Sequence, residues 1–118
     1  MDHMILLAED EPIQRRQLAR VLNNEGYVVL QASTGREAIR ILNEQSVDIV
    51  LTDLKMPELD GVSLLNYIKA NFSQVLVAII TAHPDALRDA KPDAVLGKPF
   101  GGEQLKEMVR SLFEKQAA

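Results

Sequence analysis

Cysteine is absent from the 118 residues, so neither a disulfide nor a thiolate metal centre is available, which fits a reducing compartment. Positive charge is in short supply: 13 Lys and Arg stand against 17 Asp and Glu, a formal charge of −4. Phosphate backbones are bound by basic faces, so this balance argues against direct nucleic-acid binding. Long apolar runs are also missing. The longest, Val75 to Ile80, falls far short of the roughly 20 residues a membrane helix needs, and no membrane association is expected. Met1-Asp2-His3-Met4 carries neither the basic stretch nor the apolar segment of a secretion signal, so the expected location is cytoplasmic. Histidine occurs twice, at His3 and His83, too far apart to suggest a metal centre. His3 falls among the first residues, where disorder is usual. No Gly-x-Gly-x-x-Gly or P-loop follows the first apolar run, which argues against a plain nucleotide or flavin binder.

What is present is an ordinary globular composition, 47% apolar and 25% charged, with no repeat or linker and a length suited to one domain over residues 1–118. Five short apolar runs bounded by turn residues read as strands: Met4 to Ala8, Tyr27 to Leu30, Val47 to Thr52, Val75 to Ile80 and Ala94 to Leu96. Helical spacing fills the gaps. Leu18, Val21 and Leu22 follow Pro12, which suits a first helical turn, and Gly26 ends that helix. Ala38, Ile41 and Leu42 follow a cap candidate at Ser33-Thr34-Gly35 and run out near Ser46. Leu64, Leu65, Ile68 and Phe72 follow Asp60, a natural N-cap, and Leu105, Val109 and Leu112 mark the last helix. Between the fourth and fifth strands only a weak segment, Asp85 to Ala90, has helical character, confined by Pro84 and Pro92. Strands that are apolar throughout, rather than alternating, predict an α/β fold: a parallel sheet covered by helices on both faces.

In an open parallel sheet the carboxyl ends of the strands share one edge, where ligands bind. The first strand ends in Glu9 and Asp10, the third in Asp53, the fourth in Thr81, and the fifth in Lys98. Carboxylates gathered at one edge repel, so one must take a proton or a cation must join them. With oxygen ligands only, Mg²⁺ is the natural cation. A carboxylate nucleophile at Asp53 would form an acyl phosphate. The transition state spreads charge over three equatorial oxygens, and Mg²⁺, the Lys98 ammonium and the Thr81 hydroxyl could each take one. Glu9 and Asp10 also suit the positive end of the helix they precede.

The segments Leu7-Ala8-Glu9-Asp10-Glu11-Pro12, Thr52-Asp53-Leu54-Lys55-Met56-Pro57 with Asp60-Gly61, Thr81-Ala82-His83 and Lys98-Pro99-Phe100 occur in this order across the whole chain. In that order they resemble the receiver domain of two-component response regulators. The resemblance implies a doubly wound, five-stranded, flavodoxin-like sheet of order 2-1-3-4-5, and one receiver domain over residues 1–118. It implies Asp53 as phosphoacceptor and Glu9, Asp10, Asp53 and the Lys55 backbone carbonyl as Mg²⁺ ligands. Thr81 matches the switch hydroxyl and Lys98 the lysine that contacts the phosphoryl group. The implied donor is a histidine kinase or phosphotransfer protein, and the implied output is a changed binding surface for a protein partner or output domain, with room for a phosphorylation-dependent dimer. The Lys98–Pro99 bond is expected to be cis on the same ground, and His83 to influence the lifetime of the phosphoryl group.

Three departures from the family pattern carry expectations. Glu9 stands where aspartate is commoner, which predicts weakened Mg²⁺ binding. Val95, three residues before Lys98, stands where an aromatic usually turns inward, so coupling must use backbone and loop shifts. The Thr81–Lys98 segment is short by roughly one turn of helix, which predicts a short or irregular fourth helix and an unusual output surface. Two other functions remain in view. A small Mg²⁺-dependent aspartyl-phosphate phosphatase or phosphotransferase usually places a second carboxylate two residues after its nucleophile; Lys55 stands there, and no turnover of a separate substrate is expected. A degenerate receiver would act as a binding module without phosphorylation.

Overall fold

The computed structural model describes residues 3–118; Met1 and Asp2 lie outside the described residues. Strands Met4–Ala8 (β1), Val28–Ala32 (β2), Ile49–Asp53 (β3), Leu76–Thr81 (β4) and Ala94–Gly97 (β5) are all parallel, in the order β2-β1-β3-β4-β5. That is the expected doubly wound sheet. Helices Pro12–Asn24 (α1) and Gly102–Ala117 (α4) cover one face, while Gly35–Glu44 (α2) and Gly61–Asn71 (α3) cover the other.

Alternation along the central strands explains the two layers. Ile5, Leu7, Ile49, Leu51, Ala78 and Ile80 pack with Leu18, Leu22, Leu105 and Val109. Their neighbours Leu6, Val50, Val77 and Ile79 pack with Ala38, Leu42, Leu64 and Ile68 on the opposite side. Burial on both faces is why β1, β3 and β4 read as continuous apolar runs. The edge strands depart from that reading: Val28 and Val95 are 37% and 42% exposed. An edge strand has one covered flank only, so its outward residues meet water whatever their polarity.

Element ends follow local hydrogen bonding. Thr34 Oγ1 accepts the Glu37 N–H (3.0 Å) and Asp60 Oδ1 accepts the Ser63 N–H (2.8 Å), so both expected caps form. Gly26 closes α1 at φ +92°, a conformation that favours glycine. Some boundaries move. Helix α2 stops at Glu44 rather than near Ser46, because Gln45 is already extended. Strand β2 runs on through Gln31 and Ala32, which pair with Leu7 and Ala8. Tyr27 leaves that strand and stacks on Phe113 at 5.1 Å between ring centroids. His3, expected to be loose, joins the same cluster, its ring stacked 4.2 Å from that of Phe113. Strand β3 begins at Ile49, just after Asp48, whose carboxylate accepts the Met4 N–H (2.8 Å).

The connection from β4 to β5 holds a single 3₁₀ turn, Pro84–Leu87, as the proline-confined spacing predicts. Leu87 alone of that turn is buried, and Arg88 ends it at φ +53°. The far end of the segment is fastened by Asp93. Its backbone N–H donates to the Val77 carbonyl and its carboxylate accepts the Val77 N–H (2.8 Å each), so one residue extends the ladder with both backbone and side chain. Lys69 of α3 reaches the same carboxylate at 2.6 Å, and Lys115 of α4 approaches it at 3.6 Å. Helices from opposite faces thus meet at one acid on the sheet edge. Among the described residues, no helix is long and apolar enough to cross a membrane.

Candidate functional site

Sheet order places β1 beside β3 and β3 beside β4, so Ala8 pairs with Thr52 and Asp53 with Ile80. The residues just past those pairs meet at the carboxyl edge. Carboxylate oxygens of Glu9, Asp10 and Asp53 all lie within 4.8 Å of one another. Glu9 is buried (2% exposed), Asp10 is exposed, and Asp53 keeps 12% of its side chain accessible. Lys98 arrives from the end of β5 and puts Nζ 2.8 Å from Asp53 Oδ1 and 3.8 Å from Glu9 Oε1. The Lys98–Pro99 peptide is cis, as expected.

Three acids and one ammonium leave the cluster short of positive charge, and Glu9 carries the consequence. Burial pushes its carboxyl up to about 8, assisted by a shared hydrogen bond and charge repulsion from Asp53. The Glu11 N–H, which donates to Glu9 Oε2 at 3.0 Å, and the Lys98 ammonium oppose that rise only in part. A buried acid that holds its proton near neutral pH beside a second acid is the proton-bound solution to like-charge crowding. The same all-oxygen donor set fits a hard divalent cation, which would replace the shared proton.

Thr81 is buried, and its hydroxyl accepts the His83 N–H at 2.9 Å, while its carbonyl accepts the Lys98 N–H at 2.9 Å. It therefore ties the ends of β4 and β5 together beside the acids. Lys55 lies two residues past Asp53 with its side chain exposed; among the described residues none donates a hydrogen bond to its carbonyl. The loop carrying it is held by the buried Thr52 hydroxyl, which donates to the Asp53 carbonyl at 2.9 Å and contacts Met56 Sδ at 3.8 Å. Gly61 closes that loop: its N–H donates to the Leu54 carbonyl at 2.7 Å, and a Cβ there would collide with the Asp53 carbonyl.

Two supports were not visible as site residues in the sequence. Gly61 carries no chemistry, and its role is the close approach it permits. Arg15 reads as one more charged residue of an amphipathic helix, yet its Nη1 donates to the Glu9 carbonyl at 2.8 Å. His83 contributes its backbone N–H to Thr81 and leaves its ring exposed.

The family model for the response regulator receiver domain matches residues 5–110. The chain belongs to that family. It is similar to sporulation initiation phosphotransferase F of Bacillus subtilis (strain 168), 32% identical over 115 residues, covering 93% of each chain. It is 35% identical over 118 residues to the transcriptional regulatory protein GlrR of Escherichia coli (strain K12), covering 96% of this receiver but only 27% of that protein. Among solved structures, the response regulator TrrA of Thermotoga maritima in complex with Mg²⁺–BeF is 29% identical with a TM-score of 0.86, covering 93% of this chain and 98% of that one. The receiver therefore spans about a quarter of one relative and nearly all of another. Receiver domains work in two-component systems and bind Mg²⁺ at an acidic site, and Glu9, Asp10 and Asp53 form an acidic cluster consistent with such binding.

Proposed function

We propose that this receiver accepts a phosphoryl group on Asp53 from a phosphohistidine of a histidine kinase or phosphotransfer protein, and changes its interaction surface as a result. The observation that carries the reading is the convergence of Glu9, Asp10, Asp53 and Lys98 on one sheet edge, with Asp53 the acid that Lys98 holds at 2.8 Å. An Asp53 carboxylate oxygen attacks phosphorus, the phosphorus–nitrogen bond of the donor breaks, and the imidazole, protonated on its other ring nitrogen, leaves as the neutral base with the bonding pair. Lys98, already beside the nucleophile, is placed to pair with the phosphoryl oxygens, and Thr81 turns its hydroxyl from the His83 N–H toward them. Glu9, Asp10, Asp53 and the Lys55 carbonyl would hold Mg²⁺, which would screen charge on the transferring group.

The proposed output region is the short segment from Ala82 to Val95. It carries one 3₁₀ turn, and Val95 lies exposed, so it presents loop backbone and charged side chains such as Asp85, Arg88, Asp89 and Lys91 in place of a long helix. Turnover of a separate substrate is not part of the reading, because Lys55 stands where an acid–base carboxylate would be needed. The whole chain, residues 1–118, is taken as one receiver domain in the cytoplasm, an assignment supported by the cysteine-free sequence.

Incubation with a small phosphodonor and Mg²⁺, followed by intact-mass measurement, tests the function. A labile gain of one phosphoryl group, absent in Asp53→Asn, is the expected result. Continuous phosphate release from unrelated esters would overturn it in favour of an enzyme. An unlabelled wild type would leave a degenerate binding module.

A further inference from the structure

We infer that Arg15 is a positioning residue for the acidic site: its guanidinium fixes the Glu9–Asp10 peptide and so presents both carboxylates to a divalent cation. The inference rests on the Mg²⁺ reading above and adds a residue outside the cluster.

The β1–α1 turn is a closed circuit of hydrogen bonds. The Glu9 N–H donates to the Ala32 carbonyl at 3.0 Å, which ends the pairing with β2. The pairing with β2 stops at Ala8 and Ala32, and among the described residues no backbone N–H donates to the Glu9 carbonyl. Arg15 Nη1 supplies one at 2.8 Å. Glu9 Oε2 takes the Glu11 N–H at 3.0 Å, and Glu11 in turn caps α1 through Oε1 to the Ile13 N–H at 3.0 Å. The Arg15 N–H then donates to the Glu11 carbonyl at 2.9 Å, closing the circuit on the residue that began it.

A carbonyl this deep needs a partner. More consequentially, it belongs to the peptide plane that joins Glu9 to Asp10. Fixing that plane sets where the Asp10 side chain leaves the backbone, with Glu9 already anchored by strand and turn. Arg15 forms no ion pair among the described residues, and this is its guanidinium's one hydrogen bond there, so the contact is not a by-product of charge pairing. Arg16 and Arg20 on the same helix are exposed and make no comparable contact among the described residues.

Positioning and simple charge predict opposite signs. Removing a nearby cation should by Coulomb's law tighten Mg²⁺. Removing the hydrogen bond that orients the ligands should weaken it, and supports of this kind are worth about tenfold or more in metal affinity. Arg15→Met keeps the apolar stem and deletes the donor; Arg15→Gln serves if the first variant does not fold. Both are compared with wild type by calorimetric titration with Mg²⁺, by far-ultraviolet circular dichroism, and by phosphodonor labelling over a range of Mg²⁺. The expected result is about tenfold weaker Mg²⁺ with native dichroism. The Mg²⁺ needed for half-maximal labelling should rise in parallel, while the rate at saturating Mg²⁺ stays within about twofold. Unchanged or tighter Mg²⁺ in a folded variant would overturn the role of Arg15 alone. So would a fall in the saturating rate with an unmoved Mg²⁺ midpoint. A wild type that shows no Mg²⁺ binding would instead overturn the reading of the acidic site itself.

Discussion

Lys98 Nζ lies 2.8 Å from Asp53 Oδ1 and 3.8 Å from Glu9 Oε1, so one ammonium spans two of the three clustered carboxylates. It is the counter-charge of the cluster and a donor beside Asp53, the proposed nucleophile. Lys98→Met should therefore cut the labelling rate of Asp53 by about 10²-fold or more, as loss of a preorganised donor does. Lys98→Arg should recover only part, since a planar fork is not a point ammonium. Intact-mass time courses at saturating Mg²⁺ read the effect, and a Lys98→Met rate near wild type would contradict the assignment.

Glu9 makes the metal-free protein less stable as pH rises. Its folded carboxyl titrates near 8 against an ordinary 4.5, raised by burial and by Asp53. A raised native pKa means the folded state binds more protons than the unfolded chain between those values. The contribution is complete below about 4.5 and is lost as pH climbs through about 8. Melting temperatures in a chelator should fall across that window, and Glu9→Gln, which cannot ionise, should flatten the slope. Added Mg²⁺ should offset the loss most at the alkaline end, where no proton competes. A slope unchanged in Glu9→Gln would place the effect elsewhere.

Asp93 gives the opposite slope in a lower window. Burial raises its carboxyl, but the Lys69 hydrogen bond, the Val77 N–H and the charges of Lys69 and Lys115 outweigh that and leave it below its ordinary 3.8. Its stabilisation is present above 3.8 and is lost as pH falls through the lowered folded value. Asp93→Ala leaves the Val77 N–H without its carboxylate and should cost about 1.5–3 kcal/mol in urea unfolding at neutral pH. A loss under about 0.5 kcal/mol, the level of an ordinary surface change, would show that the edge holds without it.

Gly61 is required for space rather than for backbone freedom. A methyl there would meet the Asp53 carbonyl, and backbone cannot yield as a flexible side chain can. Gly61→Ala should lose about 1–3 kcal/mol of stability through overpacking and should slow labelling of Asp53 as well. Gly101→Ala, where nothing lies within 4 Å of an added Cβ, is the control and should label normally.

Much of this receiver was determined by the order of residues alone. Period and punctuation placed five strands and the helices between them, because burial on both faces demands continuous apolar runs and helix ends demand caps such as Thr34 and Asp60. Position at a strand's carboxyl end was enough to gather Glu9, Asp10, Asp53, Thr81 and Lys98, since every parallel strand ends on the same edge. Even the shortened β4–β5 connection was legible, from the Thr81–Lys98 spacing and the confinement by Pro84 and Pro92. What tertiary structure decided is which groups face one another and how dry they are. Glu9 keeps its proton because packing takes it out of water next to Asp53. Val95 is exposed because β5 is an edge, and His3 is held because Phe113 lies under it. Arg15 finds the Glu9 carbonyl, and Lys69 and Lys115 find Asp93 from opposite layers. These pairings join residues by where the chain returns in space, and desolvation depends on everything packed around a group, so no local pattern encodes them.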